Sequence, residues 1–191
     1  METDRVTILI PTTPERKERL ARCMESVKKH ITVPYDIKVY ENNYEGYVAA
    51  IHKLLEGVNG LVWCLNDDIV LENDALSILK RHFLERFPNR DGLVQPKDGI
   101  QEGNVATLPF CDAEVMRKYT HKGYFHNFAD QEFTMIMKSL NKFLFVPEAI
   151  VTHEHWINVK AEKDFTYSNS QSYFEKDKEI FVNRAHNNFF Q

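Results

Sequence analysis

Two adjacent carboxylates, Asp67 and Asp68, stand behind Asn66 directly after the apolar run 61–65. Side by side they repel each other, a cost that a cation or the donors of a ligand offsets. Hard oxygen ligands of this kind suit Mg2+ or Mn2+, which keep waters and share the phosphates of a substrate. A plain turn is the competing reading. A helix cap is not, because Asn73 and Asp74 stand at the start of the next helical pattern and the pair lies too far upstream for that job. A second group, His153-Glu154-His155, follows an extended pattern. If the strand continues, both imidazoles project to the same side, and imidazole serves manganese-class metals as well as zinc. A structural histidine is the plainer alternative. A third group, Asp130-Gln131-Glu132, opens a helical pattern. Acids there complement the helix dipole, or one of them acts as a general base.

Chemistry at these three places needs a scaffold that brings them together, and the hydrophobic pattern describes one. The β-branched run 6–10 reads as a buried strand. Thr13-Pro14-Glu15-Arg16 then starts a helix over 14–30, with Thr13 as cap and Pro14 at the first helical position. Leu20, Cys23, Met24 and Val27 form its apolar face. The alternation repeats: strand 37–40, helix 47–55 closed by Gly57, strand 61–65, helix 75–87 followed by Pro88. This order predicts an α/β fold with a mixed, mostly parallel sheet flanked by helices. Further strands are expected at 92–95, 106–110, 143–146 and 149–152, and helices at 112–119 and 130–140. Beyond residue 156 the apolar pattern thins, predicting a loop over 157–170 and a terminal helix over 171–185. In open α/β sheets ligands bind beyond the carboxyl ends of the strands. The first three strands end in Pro11-Thr12-Thr13, Glu41-Asn42-Asn43 and Asn66-Asp67-Asp68. Thr, Glu and Asn there can hydrogen-bond a base and ribose, although Asn-Asn is also ordinary turn chemistry.

A chain of 191 residues holds one domain of ordinary size, and 43% apolar residues are enough to bury a core. The net charge of −4 gives no global basic field for nucleic acid. Lys160, Lys163, Lys176, Lys178 and Arg184 interleave with acids near the end and read as a solvated face. Three cysteines, widely spaced and without CxxC, argue against a disulfide framework or zinc knuckle and fit a reduced, cytoplasmic setting. The apolar run 6–10 is too short for a signal peptide or a transmembrane segment.

The motifs also have an order: strand-Pro-Thr-Thr-Pro-x-Arg, Tyr-Glu-Asn-Asn, Trp-Cys-Leu-Asn-Asp-Asp-Ile, Phe-Ala-Asp-Gln-Glu-Phe, and Phe-Val-Pro-Glu-Ala-Ile-Val-Thr-His. Over residues 5–156 that order resembles the family-2 glycosyltransferases of GT-A fold. The resemblance implies a single GT-A (nucleotide-diphospho-sugar transferase, Rossmann-like) domain over 1–156, with a nucleotide-binding half at 1–90, an acceptor and catalytic half at 91–156, and a C-terminal extension at 157–191. It implies metal-dependent transfer of a hexosyl or pentosyl unit from a nucleoside diphosphate, UDP by default, with inversion. Asp68 and His153 would hold Mn2+ or Mg2+. Asn66 and Asp67 would reach ribose or diphosphate, and Pro11, Thr12, Thr13, Glu41 and Asn43 would surround the nucleoside. Arg16 would reach phosphate or lie on the surface, and Gly46 would let the backbone pass the nucleotide. Asp130 would be the base, with Glu132 competing for the role. Asn66 in place of the first acid and Ala129 in place of the acid before Asp130 keep a second reading open, a nucleotide-sugar-binding module without turnover. A nucleotidyltransferase ranks last, because no glycine- and basic-rich loop follows the first strand. The acceptor stays open among a glycan, a lipid-linked glycan and a modified nucleic-acid base.

Overall fold

The computed structural model describes residues 5–155 and 164–189. Strand β1 (Val6–Thr12) is buried almost throughout. A 3-10 turn at Pro14–Arg16 leads into α1 (Lys17–His30). Pro14 presets the first helical φ, but Thr13 does not cap with its side chain. Its hydroxyl pairs instead with that of Thr166 at 2.8 Å, so long-range packing claims the group that local patterning assigns to the helix. Then come β2 (Tyr35–Glu41), α2 (Tyr47–Leu54), β3 (Leu61–Cys64), β4 (Ile69–Leu71) and α3 (Ala75–Arg86). Asp74 caps α3 by accepting from Ser77 N at 3.3 Å, which leaves Asp67 and Asp68 in the turn between β3 and β4. The second half runs β5 (Leu93–Lys97), β6 (Phe110–Asp112), α4 (Ala113–Tyr119), α5 (Ala129–Ser139), β7 (Phe143–His153), α6 (Phe165–Ser172) and α7 (Phe174–His186).

The strands form one seven-stranded mixed sheet in the order β2-β1-β3-β6-β5-β7-β4. β1 pairs in parallel with β2 and β3, and β5 in parallel with β7. β6 is antiparallel to both β3 and β5, and β4 is antiparallel to β7. Helices pack on this sheet, α1 against β4, α2 against β1 and β2, and α3 against β5 and β7. The expected Rossmann-like α/β domain is therefore present. Trp63, Phe83 and Phe110 are the largest fully buried side chains, and the Phe83 ring meets Phe110 edge-on at 5.4 Å. Each such ring contributes about 1.5–3 kcal/mol of transfer free energy. Cys23, Cys64 and Cys111 are buried and unpaired. No helix among the described residues is long and apolar enough to cross a membrane.

Several local expectations change. The two strands expected at 143–146 and 149–152 are one, β7, bulged opposite Pro96/Lys97. The expected strand 106–110 survives only at Phe110. Upstream of it, Ala106 N donates to Thr134 Oγ1 and Leu108 N to Gln95 Oε1, so side chains replace the ladder. The expected loop 157–170 lies partly outside the described residues, and from Phe165 onward it is the helix α6.

Candidate active site

Because β1, β2 and β3 are parallel, their carboxyl ends emerge on one edge of the sheet. Pro11, Thr12, Thr13, Asn42, Asn66, Asp67 and Asp68 there line a cleft of about 480 Å³. From the second half, Asp130 at the start of α5 and His153 at the end of β7 reach the same cleft. Three stretches far apart in sequence thus converge where an open α/β sheet places its ligands.

The acid pair is almost completely buried, as is Arg16 beside it. Asp67 takes a hydrogen bond from Thr12 Oγ1 at 2.7 Å and one from Arg16 at 2.9 Å. Asp68 accepts from the Tyr167 hydroxyl at 2.5 Å and lies 3.7 Å from the Arg16 guanidinium. Burial raises the Asp67 pKa and Asp68 adds to the rise, against the pull of Arg16. Burial also opposes ionisation of Asp68, but contact with His153, Arg16 and the Tyr167 hydroxyl outweighs it and holds its pKa below the usual carboxylate range. Asp68 is therefore the more readily ionised of the two. Its Oδ1 stands 3.2 Å from His153 Nε2, yet neither it nor the buried Oδ1 of Asn66 makes a hydrogen bond among the described residues. Two cis ligands of an octahedral cation at ~2.1 Å lie about 3 Å apart. Asp68 Oδ1 and His153 Nε2 are thus spaced as two neighbouring ligands of one small cation would be. Among the described residues no cluster of three or more His, Cys, Asp or Glu side chains is arranged as a metal-binding group.

At the other end, Asp130 sits in the first turn of α5 and accepts from Gln131 N at 2.8 Å. Burial raises its carboxyl pKa, which moves a base toward neutral pH, where proton transfer is most effective. The preceding Phe128 has φ 66°, a left-handed backbone that costs a bulky residue about 1–3 kcal/mol. Its ring is held by Phe174 at 5.1 Å and Phe181 at 5.2 Å. Packing from α7 therefore fixes the turn that aims Asp130.

The C-terminal helices complete the site. Asp164 caps α6 through Tyr167 N at 3.0 Å and grips Arg16 with both oxygens, at 2.9 and 3.1 Å. Thr166, Tyr167, Asn169 and Phe174 line the cleft. Asp177, fully buried in α7, accepts from the backbone N–H groups of Phe125, His126 and Asn127 at 2.8–3.0 Å. It pins the loop that forms one cleft wall. Glu132 is bound by Arg184 at 2.9 Å and by the Tyr124 hydroxyl at 2.7 Å.

Of the residues singled out from the sequence, Pro11, Thr12, Thr13, Arg16, Gly46, Asn66, Asp67, Asp68, Asp130 and His153 line the cleft. Glu41, Asn43 and Glu132 do not. Glu41 and Asn43 are exposed, and the buried Asn42 between them, just past the end of β2, faces the cleft in their place. Glu132 points into the α5–α7 junction. Gly46 has φ 99°, and a Cβ there would come within 2.5 Å of Phe125 O, so its first service is to the Phe125 loop. Asn42, Asp164, Tyr167, Asp177 and Arg184 were not anticipated as site residues; of these, only the cap at Asp164 before Phe165 had a local signature.

No family model matches the chain, and no curated protein matches it. Among solved structures it is similar to S. aureus TarS, with a TM-score of 0.57 and 11% identity over 78% of this chain and 36% of that one. It is also similar to A197 from STIV, with a TM-score of 0.52 and 15% identity over 78% of this chain and 85% of that one. The chain thus spans little more than a third of TarS, and at these identities the likeness shows a shared, GT-A-like fold.

Proposed function

We propose that the cleft transfers a glycosyl unit from a nucleoside diphosphate sugar to an acceptor hydroxyl. The observation that carries this reading is the convergence in one cleft of an ionised, under-bonded Asp68 beside His153 with a carboxyl of raised pKa, Asp130. The GT-A-like fold, shared with the glycosyltransferase TarS, supports it. Thr12, Asn42 and Asn66 hold the nucleoside, and Arg16 stands beside the phosphates. Asp68 and His153 would hold Mn2+ or Mg2+, which would supply charge neutralisation to the departing diphosphate. Asp130 takes the proton from the acceptor hydroxyl. The acceptor oxygen bonds to the anomeric carbon as the bond from that carbon to the diphosphate oxygen breaks, and the electron pair leaves with the diphosphate.

A module that binds the donor without turning it over is the second reading, favoured by Ala129 ahead of Asp130 and by the Arg16 and Tyr167 contacts already made to the acid pair. The deciding experiment is a thermal-shift screen of UDP, GDP, CDP and TDP and their sugars, with and without Mn2+, on wild type and Asp68→Ala. Stabilisation by one nucleotide that needs Mn2+ and is lost in the variant is expected. No stabilisation by any of them refutes a donor site. Stabilisation without product on any acceptor favours the second reading.

A further inference from the structure

The end of the cleft around Asp130 carries a chemical signature of its own. Thr134 Oγ1 donates to Asp130 O at 2.6 Å and accepts from Ala106 N at 2.8 Å, which ties the 98–108 loop to the first turn of α5. Asp98, fully buried, accepts from Ile100 N and Gln101 N at 2.9 Å and holds that loop in shape. The cleft that Asp130 lines is also lined by Phe128 and Phe174, whose rings meet at 5.1 Å, and by Gln101 and Gln131. Neither glutamine side chain bonds to another described group, so two amides face the cleft with donors and acceptors to spare. Among the described lining residues, Arg16 is the sole lysine or arginine, and it is engaged by Asp67 and Asp164.

We infer that the acceptor seated against Asp130 is an uncharged sugar, with its C–H face on Phe128 and Phe174 and its hydroxyls on Gln101 and Gln131. This rests on the transferase reading for the reaction but not for the binding. Aromatic rings supply apolar area with a fixed shape, and amides supply both donor and acceptor to a hydroxyl. Among the described lining residues, an acceptor carrying phosphate or carboxylate meets Asp130 and no lysine or arginine besides the engaged Arg16. A nucleic-acid strand, whose binding runs mostly through phosphate contacts to lysine and arginine, finds none among the described residues lining the cleft apart from Arg16.

The test is saturation-transfer NMR and calorimetry on the full chain. The probes are methyl and p-nitrophenyl glycosides, the matching uronic acids and sugar phosphates, and an oligodeoxynucleotide carrying a hydroxymethylated pyrimidine. Neutral glycosides should bind with little dependence on salt. Gln131→Ala should weaken them about five- to tenfold, the value of one or two lost hydrogen bonds. Phe174→Ala should do the same, with circular dichroism confirming that it folds. Tighter binding of the oligonucleotide or of the anionic sugars overturns the inference, and so does the absence of neutral-sugar binding. The donor reading is tested separately by UDP binding, so that failure there leaves these binding results to stand or fall alone.

Discussion

Asp130 and Glu132 are two residues apart on one helix, but Asp130 lines the cleft whereas Glu132 is paired with Arg184 away from it. Conservative amide substitutions should separate the two. Glu132 is 1% exposed, takes three hydrogen bonds from Arg184 at 2.9–3.1 Å, and takes a fourth from Tyr124. Glu132→Gln keeps the shape but leaves the guanidinium without its counter-charge. Breaking a buried pair by removing one partner costs about 3–5 kcal/mol. Arg184 retains 18% side-chain exposure, which places this case near the lower end, about 3 kcal/mol. For a domain of this size that lowers Tm by about 6–12 °C. Asp130→Asn removes no ion pair, and the Gln131 N–H keeps an oxygen to bond. Its stability should stay within about 1 kcal/mol of wild type, while transfer falls about 10²–10⁴-fold, the span of a lost general base. Urea titrations give the first quantity, and single-turnover transfer with saturating donor and Mn2+ gives the second. Loss of transfer in a Glu132→Gln protein of wild-type stability, or unimpaired transfer in Asp130→Asn, would refute the assignment.

Two further outcomes follow from the same geometry. Asp130 serves as a base only when ionised, and its pKa is raised by burial. The ionised fraction is therefore full above that raised pKa and is lost as pH falls through it, so the acid limb of kcat should lie above the ~3.9 of an ordinary aspartate. A kcat that stays level down to pH ~4 in metal-saturated buffer would contradict this. Asp177→Ala strands three backbone N–H groups at about 1–3 kcal/mol each. A loss of at least about 3 kcal/mol is expected by urea titration, with weakened nucleotide binding as the 125–127 wall loosens. A loss under about 1 kcal/mol would mean that water replaces the carboxylate.

The first half of the fold was legible because its signals are local. Runs such as 6–10 and 61–65 are apolar throughout, helices with clear periodicity separate them, and the acid pair ends a strand. The alternation that distinguishes Asn42 from Glu41 and Asn43 was not legible, since the chain has left β2 by that point and only its path decides which side chain turns inward. The C-terminal helices were harder still. α6 reads Phe-Thr-Tyr-Ser-Asn-Ser-Gln-Ser, residues with weak helix propensity and no clear apolar face. What holds it is tertiary: Asp164 on Arg16, Tyr167 on Asp68, Thr166 on Thr13. Each of those bonds joins a residue beyond 163 to one in the first 68, and no window of sequence spans that distance. The same charges that looked like a solvated tail include Arg184, which closes the pair with Glu132. A charge run is solvated by default, but α7 departs from the default at two positions, Asp177 and Arg184. Both meet the segment that carries Asp130, one through the 125–127 loop and one through α5 itself. The C-terminal helices therefore hold the segment that places Asp130 at the cleft, and a protein truncated after 156 should lose that placement along with the Tyr167 contact to Asp68.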